Sequence, residues 1–380
     1  MPKKTIFLIA GEASGDLHGS RLVKELKGLG EYEFYGLGGK AMEHEGVRIF
    51  FDLPSIAALG LGDVLKQYLL FRKIFYQTLD HVFNEIKPDV IILIDYPGFN
   101  IRFAKKINKR IPVVYYISPQ VWAWGKRRIK TIARVVNRML VLLPFEVDVY
   151  KGSGLDCRFV GHPLIDLVRP SKSEVEIRKE WGLGDKKIIG LLPGSRKHEV
   201  SRILPVMLDA AALLKKKYPE YSFVLTETPS LPQALYDEIL AKHPAEIIRI
   251  KNRSYDALAV MEFAMVASGT ATLETAISMK PFVIVYKTAA STYFLGKRLI
   301  QIPYIGLVNV LAGEKIVPEF IQQDATGKNI AAECEKFIAD PAARAAMLEA
   351  IGKVRNSLGA PGASRRAAGE IFDLLKAGGN

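Results

Sequence analysis

Short apolar runs alternate with stretches of helical period along most of the chain. A short continuous apolar run is typical of a strand buried on both faces, and helical stretches between such strands indicate a parallel sheet covered by helices. The pattern therefore predicts an α/β architecture in both halves of the chain. The predicted strands are Thr5–Ala10, Glu33–Gly36, Val90–Ile94, Val113–Ile117, Met139–Leu142 and Cys157–Val160 in the first half, and Ile188–Leu192, Ser222–Thr226, Ile247–Ile250, Phe263–Ala267 and Phe282–Tyr286 in the second.

One interruption divides this pattern near the middle of the chain. Pro170 and Ser173 lie in a stretch that follows neither periodicity, and a second set of strands comes after it. We therefore expect two Rossmann-like parallel-sheet domains, 1–168 and 169–355, facing each other across a cleft. The remaining segment, 356–380, is predicted to form a helix that crosses back to the first domain.

The composition narrows the class of protein. A length of 380 residues favours two domains, and 49% hydrophobic residues exclude a disordered chain. The formal net charge of +13 favours an anionic partner, such as a phosphate, a nucleic acid or an acidic membrane surface. Cys157 and Cys334 stand far apart without metal-ligand spacing, which is typical of a reduced, cytosolic protein. No apolar run is long enough for a transmembrane helix, and the first run is too short for a signal peptide.

A glycine turn after Ile188–Leu192 is the first candidate for ligand binding. The order of strand, Pro-Gly-Ser-Arg turn and helix directs backbone N–H groups and the positive end of a helix at one point, where an anion would bind. Gly194 lets the backbone approach closely, Ser195 offers a hydroxyl, and Arg196 offers a planar fork for phosphate oxygens. Ordinary turn chemistry is the alternative explanation of this tripeptide.

A second loop in the same half has similar chemistry. Small and hydroxyl residues follow the predicted strand Phe263–Ala267 at a helix start, where they provide amides and hydroxyls for a phosphate. Glu274 lies one helical turn further on and suits ribose hydroxyls, whereas helix capping alone is the competing explanation. Two such loops in one sheet favour a nucleotide diphosphate. The candidate residues of this loop are Ser268, Gly269, Thr270, Ala271, Thr272 and Glu274.

In the first half, Asp95 directly follows the strand Val90–Ile94. A carboxylate at the tip of a buried strand is partly desolvated, which raises its pKa and suits it to accept a proton from a substrate hydroxyl. The alternative is that Asp95 caps the helix that follows. The residues alone leave both interpretations open.

Two further loops of the first half are acceptor-site candidates. The loop Gly11–Asp16 matches neither of the common nucleotide-binding glycine motifs, and its residues either bind a ligand or cap a helix through Ser14 or Asp16. The loop Ser118–Trp124 has two tryptophans beside a basic cluster, which suits a sugar and a phosphate or is a packed loop before a solvated helix. Nucleic-acid binding has weak support from this single patch. The acceptor-site candidates are Glu12, Ser14, Gly15, Ser118, Trp122 and Trp124.

The stretch Leu61–Phe83 has more apolar residues than one helical stripe requires. Such a helix is either buried in a core or lies at a membrane surface, where its basic residues attract anionic headgroups. The residues expected to contact membrane or acyl chains are Leu65, Leu69, Leu70, Phe71 and Phe75.

Taken together, these motifs resemble the lipid-A-disaccharide synthases, which are inverting glycosyltransferases of the GT-B class. The resemblance covers nearly the whole chain. The matching motifs are GEASGD at Gly11–Asp16, DYPGFN at Asp95–Asn100, SPQVWAW at Ser118–Trp124, LPFE at Leu143–Glu146, GHP at Gly161–Pro163, LLPGSR at Leu191–Arg196, SGTATLE at Ser268–Glu274 and LVNVLAG at Leu307–Gly313.

The resemblance implies a reaction and roles for three residues. UDP-2,3-diacylglucosamine would donate its sugar to the 6-hydroxyl of 2,3-diacylglucosamine 1-phosphate (lipid X), which yields the β-1,6-linked disaccharide 1-phosphate and UDP. Asp95 would be the general base, Arg196 would hold the diphosphate, and Asn309 would lie near the donor. No Asp-x-Asp pair is present, so we expect neither a metal nor any other cofactor, and Arg196 and backbone amides would carry the charge.

The resemblance also implies where the protein acts and with which partners. Both substrates carry acyl chains, so we expect a peripheral protein on the anionic cytoplasmic face of the inner membrane, with no nucleic-acid partner. Some members of the family are homodimers, which makes a homodimer one expected assembly. The alternatives are an isomerase similar to UDP-N-acetylglucosamine 2-epimerase, which shares the two-domain architecture, and a non-catalytic nucleotide-binding protein.

Overall fold

The computed structural model describes residues 3–58, 64–243, 245–289, 293 and 303–377, without the side chains of 57, 58 and 64–67. The chain forms two compact units. The first unit comprises Met1–Pro163 together with Leu358–Asn380, and the second comprises Leu164–Ser357. The chain therefore passes from the first unit to the second after Pro163, five residues before the predicted boundary, and returns at Leu358.

Each unit is built on one parallel sheet. The first sheet has the order β3-β2-β1-β4-β5-β6-β7 and the second has the order β10-β9-β8-β11-β12-β13. Every pair of neighbouring strands is parallel. The strands are β1 (Lys4–Ala10), β2 (Tyr32–Gly38), β3 (Arg48–Asp52), β4 (Val90–Ile94), β5 (Val113–Tyr116), β6 (Arg138–Val141), β7 (Asp156–Phe159), β8 (Lys187–Leu192), β9 (Tyr221–Glu227), β10 (Ile247–Lys251), β11 (Phe263–Ala267), β12 (Phe282–Tyr286) and β13 (Glu319–Ile321).

Helices connect the strands, as parallel pairing requires. A π-helical segment, His81–Ile86, continues α4 directly. The described helices are α1 (Ala13–Lys27), α2 (Lys40–His44), α3 (Leu53–Ala58), α4 (Val64–Asp80), α5 (Pro97–Ile107), α6 (Arg128–Val135), α7 (Glu146–Tyr150), α8 (Leu164–Leu167), α9 (Glu174–Glu180), α10 (Lys197–Lys217), α11 (Gln233–Leu240), α12 (Ser254–Val260), α13 (Thr270–Ile277), α14 (Leu307–Ala312), α15 (Gly327–Ala339), α16 (Pro341–Ser357) and α17 (Ala363–Ala377).

The two predicted α/β sheets are confirmed, and the eleven predicted strands correspond to observed ones. The strands β3 and β13 were not predicted. Both are edge strands that lie at the end of their sheet, and their residues are only partly buried, so neither has the continuous apolar run that marks a central strand.

The first sheet separates two apolar layers. One layer packs against α4, α5 and α6, and the other packs against α1 and the C-terminal helix α17. An ion-pair network also attaches α17 to the sheet, because the Arg138 guanidinium donates to Asp156 at 2.8 Å and to the carbonyl of Glu370 at 2.6 Å. The last helix is therefore part of the first unit's core.

The strand order places the motif loops at one point in each sheet. The order reverses between β1 and β4 in the first sheet and between β8 and β11 in the second. Ligands of open α/β sheets bind outside the carboxyl ends of the strands at such a reversal. Gly11 and Asp95 follow the two strands at the first reversal, and Pro193 and Ser268 follow those at the second.

Candidate active site

Asp95 lies in a strained turn that three hydrogen bonds hold in place. Asp95 and Tyr96 both have positive φ values, 46° and 47°. The Asp95 carbonyl accepts hydrogen bonds from Asn100 Nδ2 at 2.7 Å and from the Tyr115 hydroxyl at 2.6 Å, and its N–H donates to the Tyr116 carbonyl at 3.0 Å. Strained backbone of this kind persists where the surroundings fix it, and it is common at active sites.

The side chain of Asp95 has the properties of a proton acceptor. Helix α5 begins at Pro97 with Tyr96 as its N-cap and has no side-chain cap, so the capping interpretation of Asp95 is not supported. The pKa of Asp95 is raised to about 6, mainly by burial and in addition by the nearby Glu12 carboxylate, while a hydrogen bond from the Tyr96 N–H acts in the opposite direction. The group is therefore a base that is ionised near neutral pH.

The loop Gly11–Asp16 contacts the Asp95 turn from the next strand. A Cβ atom on Gly11 would lie 2.1 Å from the Tyr96 ring, so only glycine fits there. Glu12 and Ser14 are exposed, whereas Gly15 is buried. The side chains of Glu12 and Ser14 are therefore accessible to a ligand at the carboxyl edge of the first sheet.

Asp16 caps a helix, although not the one that contains it. Its carboxylate accepts hydrogen bonds from the N–H groups of Gly39, Ala41 and Met42 at 2.8, 2.9 and 3.1 Å, at the start of α2. This interaction joins α1 to the loop that follows β2. Asp16 is therefore a structural member of the loop.

We predict that Asp16→Ala lowers the free energy of unfolding by about 2 kcal/mol, because three backbone N–H groups lose a charged acceptor. Chemical denaturation monitored by circular dichroism measures this change. Asp16→Asn, which keeps one acceptor oxygen, should cost less. An unfolding free energy equal to that of the wild type in Asp16→Ala would contradict the assignment.

The loop Ser118–Trp124 follows the strained residue Ile117, whose φ is 70°. The Ser118 hydroxyl is buried and lies 2.9 Å from the Tyr150 hydroxyl. Trp122 is half-buried, and Trp124 is 47% exposed with the Arg128 guanidinium 4.8 Å from the centre of its ring. The tryptophans therefore have different environments, and both present some ring surface to solvent.

Helix α4 has a buried face and an exposed apolar face. Ile74 packs in the core of the first unit, and Leu70, Phe71 and Phe75 are half-buried against it. Leu69 is 50% exposed. The buried face confirms the core interpretation for one side of the helix, and the membrane interpretation of its exposed side stays a prediction. The residues 61–63 and the side chain of Leu65 lie outside the described residues.

An apolar cavity of about 530 Å³ lies between α4 and α5. Phe71, Phe75 and Phe99 contribute aromatic walls, and Arg102 and Lys105 line it with positive charge. Tyr96 also lines this cavity, so it adjoins the Asp95 turn.

In the second unit, the predicted anion turn is occupied by a side chain of the protein. Gly194 has a φ of 103°, which positions the N–H groups that follow it. The Glu199 carboxylate accepts hydrogen bonds from the N–H groups of Ser195 and Arg196, both at 3.2 Å, and from the Arg196 guanidinium at 3.2 Å. A carboxylate thus occupies the donors that a phosphate would use.

The two loops of the second unit that are predicted to bind a nucleotide diphosphate line one cavity of about 390 Å³, which we call the donor cavity because the predicted sugar donor is a nucleotide. Glu274 is mostly buried, which raises the pKa of its carboxyl group, and it accepts a hydrogen bond from the Tyr255 hydroxyl at 3.2 Å. The predicted residues along this cavity are Gly194, Ser195, Arg196, Ser268, Gly269, Thr270, Ala271 and Glu274.

Two predicted donor-binding residues do not line this cavity. Thr272 is fully buried, and its hydroxyl donates to the Gly269 carbonyl at 2.8 Å. Asn309 is also fully buried, and its amide group bonds to the backbone of Val317 and to Glu319 at 2.8 to 2.9 Å. Both side chains support loops, and in this structure neither presents a free polar atom to the cavity.

Sequence reasoning missed several residues of the two sites. Glu199 stands three positions after the N-cap residue Arg196, so the capping-box rule could have found it. Thr228 and Asn252 line the donor cavity just after β9 and β10, where the strand-end rule applies. Glu146, a buried carboxyl group near Trp122, is marked in the sequence only by the LPFE motif.

Comparisons with known proteins agree with this architecture. A family model described as Lipid-A-disaccharide synthetase matches residues 6–362. Two relatives are named lipid-A-disaccharide synthase. The one from Geobacter metallireducens is 43% identical over 377 residues, which cover 98% of each chain. The one from Syntrophus aciditrophicus is 42% identical over 380 residues, which cover 99% of each chain.

Solved structures with the same fold include an epimerase and a glycosyltransferase. A putative UDP-N-acetylglucosamine 2-epimerase from Listeria monocytogenes has a TM-score of 0.65 at 13% identity, covering 99% of this chain and 96% of that one. A calicheamicin glycosyltransferase has a TM-score of 0.64 at 14% identity, covering 99% of both chains. At these identities the likeness establishes the fold alone, and it confirms the predicted GT-B class.

Proposed function

The chain belongs to the lipid-A-disaccharide synthetase family of glycosyltransferases, and we propose that it joins UDP-2,3-diacylglucosamine to 2,3-diacylglucosamine 1-phosphate. The products would be the β-1,6-linked disaccharide 1-phosphate and UDP. The observation that carries this proposal is Asp95, a carboxyl group whose pKa is raised to about 6, at the switch point of the first sheet. An inverting transfer needs one such base.

In the proposed mechanism, Asp95 accepts the proton of the acceptor's 6-hydroxyl group as the oxygen attacks the anomeric carbon of the donor. The bond between this carbon and the UDP oxygen breaks, and the configuration inverts. Arg196 and the N–H groups of Ser195 and Thr270 would stabilise the charge on the leaving diphosphate. Glu274 would accept hydrogen bonds from the ribose hydroxyls, which fits its place in the donor cavity.

Thr272 and Asn309 take supporting roles in this proposal. The Thr272 hydroxyl holds the first turn of α13, and the Asn309 amide holds the segment around Val317. Glu12, Ser14, Gly15, Ser118, Trp122 and Trp124 remain candidates for the acceptor side.

Mass spectrometry of the reaction products tests the proposed function. The purified protein is incubated with UDP-diacylglucosamine and the acylated acceptor, with and without EDTA. We expect the tetraacyl disaccharide 1-phosphate and UDP in equal amounts, at the same rate in both samples. In a separate incubation with UDP-N-acetylglucosamine and no acceptor, conversion to the 2-epimer would instead establish the isomerase alternative. Loss of activity in EDTA that Mg²⁺ restores would overturn the metal-independent mechanism.

Glu199 competes with the proposed diphosphate for the same donors, so we predict that Glu199→Gln binds UDP several-fold more tightly. The substitution keeps the shape of the side chain and removes a negative charge that repels the ligand. Isothermal titration calorimetry of UDP measures the change. Glu238→Gln, at an exposed position on α11, is the matched control. Equal or weaker UDP binding in Glu199→Gln would show that the carboxylate serves only as a cap.

The exposed apolar face of α4 and the cavity beside it suit acylated substrates at an anionic membrane surface. None of the described helices is both long and apolar enough to cross a membrane. We propose that the protein binds peripherally to the cytoplasmic face of the inner membrane, with Leu69, Leu70, Phe71 and Phe75 toward acyl chains and with Arg102 and Lys105 near headgroup phosphates.

We predict that Leu69→Ser lowers the affinity for vesicles of anionic phospholipid about tenfold, because it removes an exposed leucine from the contact. Vesicle co-sedimentation measures the effect. Leu213→Ser is a matched control, since Leu213 is 47% exposed on α10 of the second unit. An equal loss of vesicle affinity in both variants, or no loss in either, would count against the exposed face of α4 as the membrane-binding surface.

A further inference from the structure

A buried carboxyl group, Glu146, lies on the same edge of the first sheet as Asp95, two strands away. It is the first residue of α7, which follows β6, and only 3% of it is exposed. The proposed mechanism gives it no role. A buried carboxyl group is costly unless it is hydrogen-bonded, so its partners indicate what it does.

Glu146 joins the loop after β5 to the loop after β6. Its Oε1 atom accepts a hydrogen bond from the Trp122 indole N–H at 3.2 Å, and its Oε2 atom accepts one from the Leu143 N–H at 3.2 Å. The Trp122 ring also packs edge-on against Phe145, with 5.1 Å between ring centroids. The carboxylate is the polar part of this contact.

A second contact between the same segments does not involve Glu146. The Tyr150 hydroxyl lies 2.9 Å from the hydroxyl of Ser118, the first residue of the loop Ser118–Trp124. Ile117, just before it, is a β-branched residue with positive φ, a conformation that persists only when neighbouring contacts fix it. The loop is thus fixed at its start by Tyr150 and near its end by Glu146.

We infer that Glu146 is a positioning residue for the acceptor: its buried carboxylate fixes the Trp122 indole, whose exposed surface forms part of the acceptor site. This inference rests on the proposed function. Trp122 is suited to the role because it is half-buried, so one part of the ring is anchored and another can stack on a sugar. Glu146 itself does not touch the substrate.

The carboxyl group of Glu146 should titrate near neutral pH. Its pKa is raised to about 7, mainly by burial and in addition by the charge of Asp95, while the hydrogen bonds from Leu143 and Trp122 act in the opposite direction. Tyr150 on the same helix and Cys157 on β7 also face it, and burial raises the pKa of both, so they stay neutral. Protonation of Glu146 therefore changes the charge beside the indole.

Kinetics of Glu146→Gln and Trp122→Phe test the inference. We expect each variant to raise KM for the acylated acceptor about tenfold, with kcat within about threefold and UDP affinity unchanged, because the charged hydrogen bond that is lost lies in the first unit, whereas the proposed nucleotide site is in the second. The double variant should be no worse than either single variant. An unchanged KM, or effects that multiply in the double variant, would overturn the inference.

Fluorescence provides a readout that does not need the reaction. In a Trp124→Phe/Trp181→Phe background, Trp122 is the sole tryptophan. Its emission should change with a midpoint near pH 7, and Glu146→Gln should abolish this transition. Should Glu146→Gln fail to fold, Glu146→Asp in the same background should shift the midpoint. A transition that persists in Glu146→Gln, or that never appears, refutes the contact. If the wild-type protein made no disaccharide, the proposed function would fail while this titration still reported on Glu146.

Discussion

Asp95→Asn should lower kcat about 10³-fold while UDP affinity stays within about twofold of the wild type. A positioned general base contributes roughly 10²- to 10⁴-fold to a rate, and asparagine keeps the shape of aspartate but cannot accept the proton. The Asp95 backbone is fixed by Asn100 and Tyr115, which bond to its carbonyl and not to its carboxylate. The turn should therefore survive the substitution.

The pH dependence tests the same role in the wild-type protein. The base must be unprotonated to act, so kcat with saturating substrates should rise with pH through about 6 and level off above it, following the raised pKa of Asp95. Because the Glu12 carboxylate contributes to this raised pKa, Glu12→Gln should move the acidic limb to lower pH.

A matched control separates loss of the base from a general loss of structure. Asp148→Asn changes an exposed carboxylate of the same unit and should leave kcat unchanged. Product formation is followed with saturating substrates, and UDP binding by calorimetry. Turnover of Asp95→Asn within about tenfold of the wild type, with a native circular dichroism spectrum, would exclude Asp95 as the base.

The positions of the candidate loops were predictable because the parallel fold places the loops that follow neighbouring central strands side by side in each sheet. The apolar runs of β1, β4, β8 and β11 are continuous, so sequence periodicity finds these strands readily. All four are central strands of parallel sheets, and residues at their carboxyl ends meet at the two switch points. Knowledge of the strand ends was therefore enough to select Asp95 and Arg196 as candidates, whose roles stay predictions.

The contacts that set the chemistry were not predictable in the same way. Asp16 caps a helix that begins more than twenty residues later, and the amide of Asn309 pairs with Glu319 across a turn. Glu146 reaches Trp122 only because β5 and β6 are neighbours in the sheet. Such partners depend on the tertiary fold, whereas Glu199, which acts within its own helix, follows a local rule that sequence reasoning could have applied.

Substitution of Arg196 is the second change from which we expect a large loss of activity. Its side chain is 73% exposed beside the donor cavity and pairs with Glu199 at 3.2 Å. A diphosphate bound there would exchange this carboxylate partner for phosphate oxygens, which the guanidinium binds in a bidentate manner. The charge that develops on the leaving diphosphate would strengthen this interaction in the transition state.

Arg196→Gln should therefore lower kcat/KM for the nucleotide sugar about 10²- to 10³-fold, the range found when one stabilising donor is removed from a developing charge. Arg196→Lys should recover only part of this loss, because lysine keeps the charge but lacks the planar fork. Arg202→Gln, at an exposed arginine six residues further along the chain on α10, is the matched control and should behave as the wild type. Steady-state kinetics and UDP calorimetry separate binding from transition-state stabilisation. If kcat/KM and the UDP affinity both equal those of the wild type, Arg196 is not part of the donor site. Weaker UDP binding with unchanged kcat would make it a binding residue without a part in the transition state.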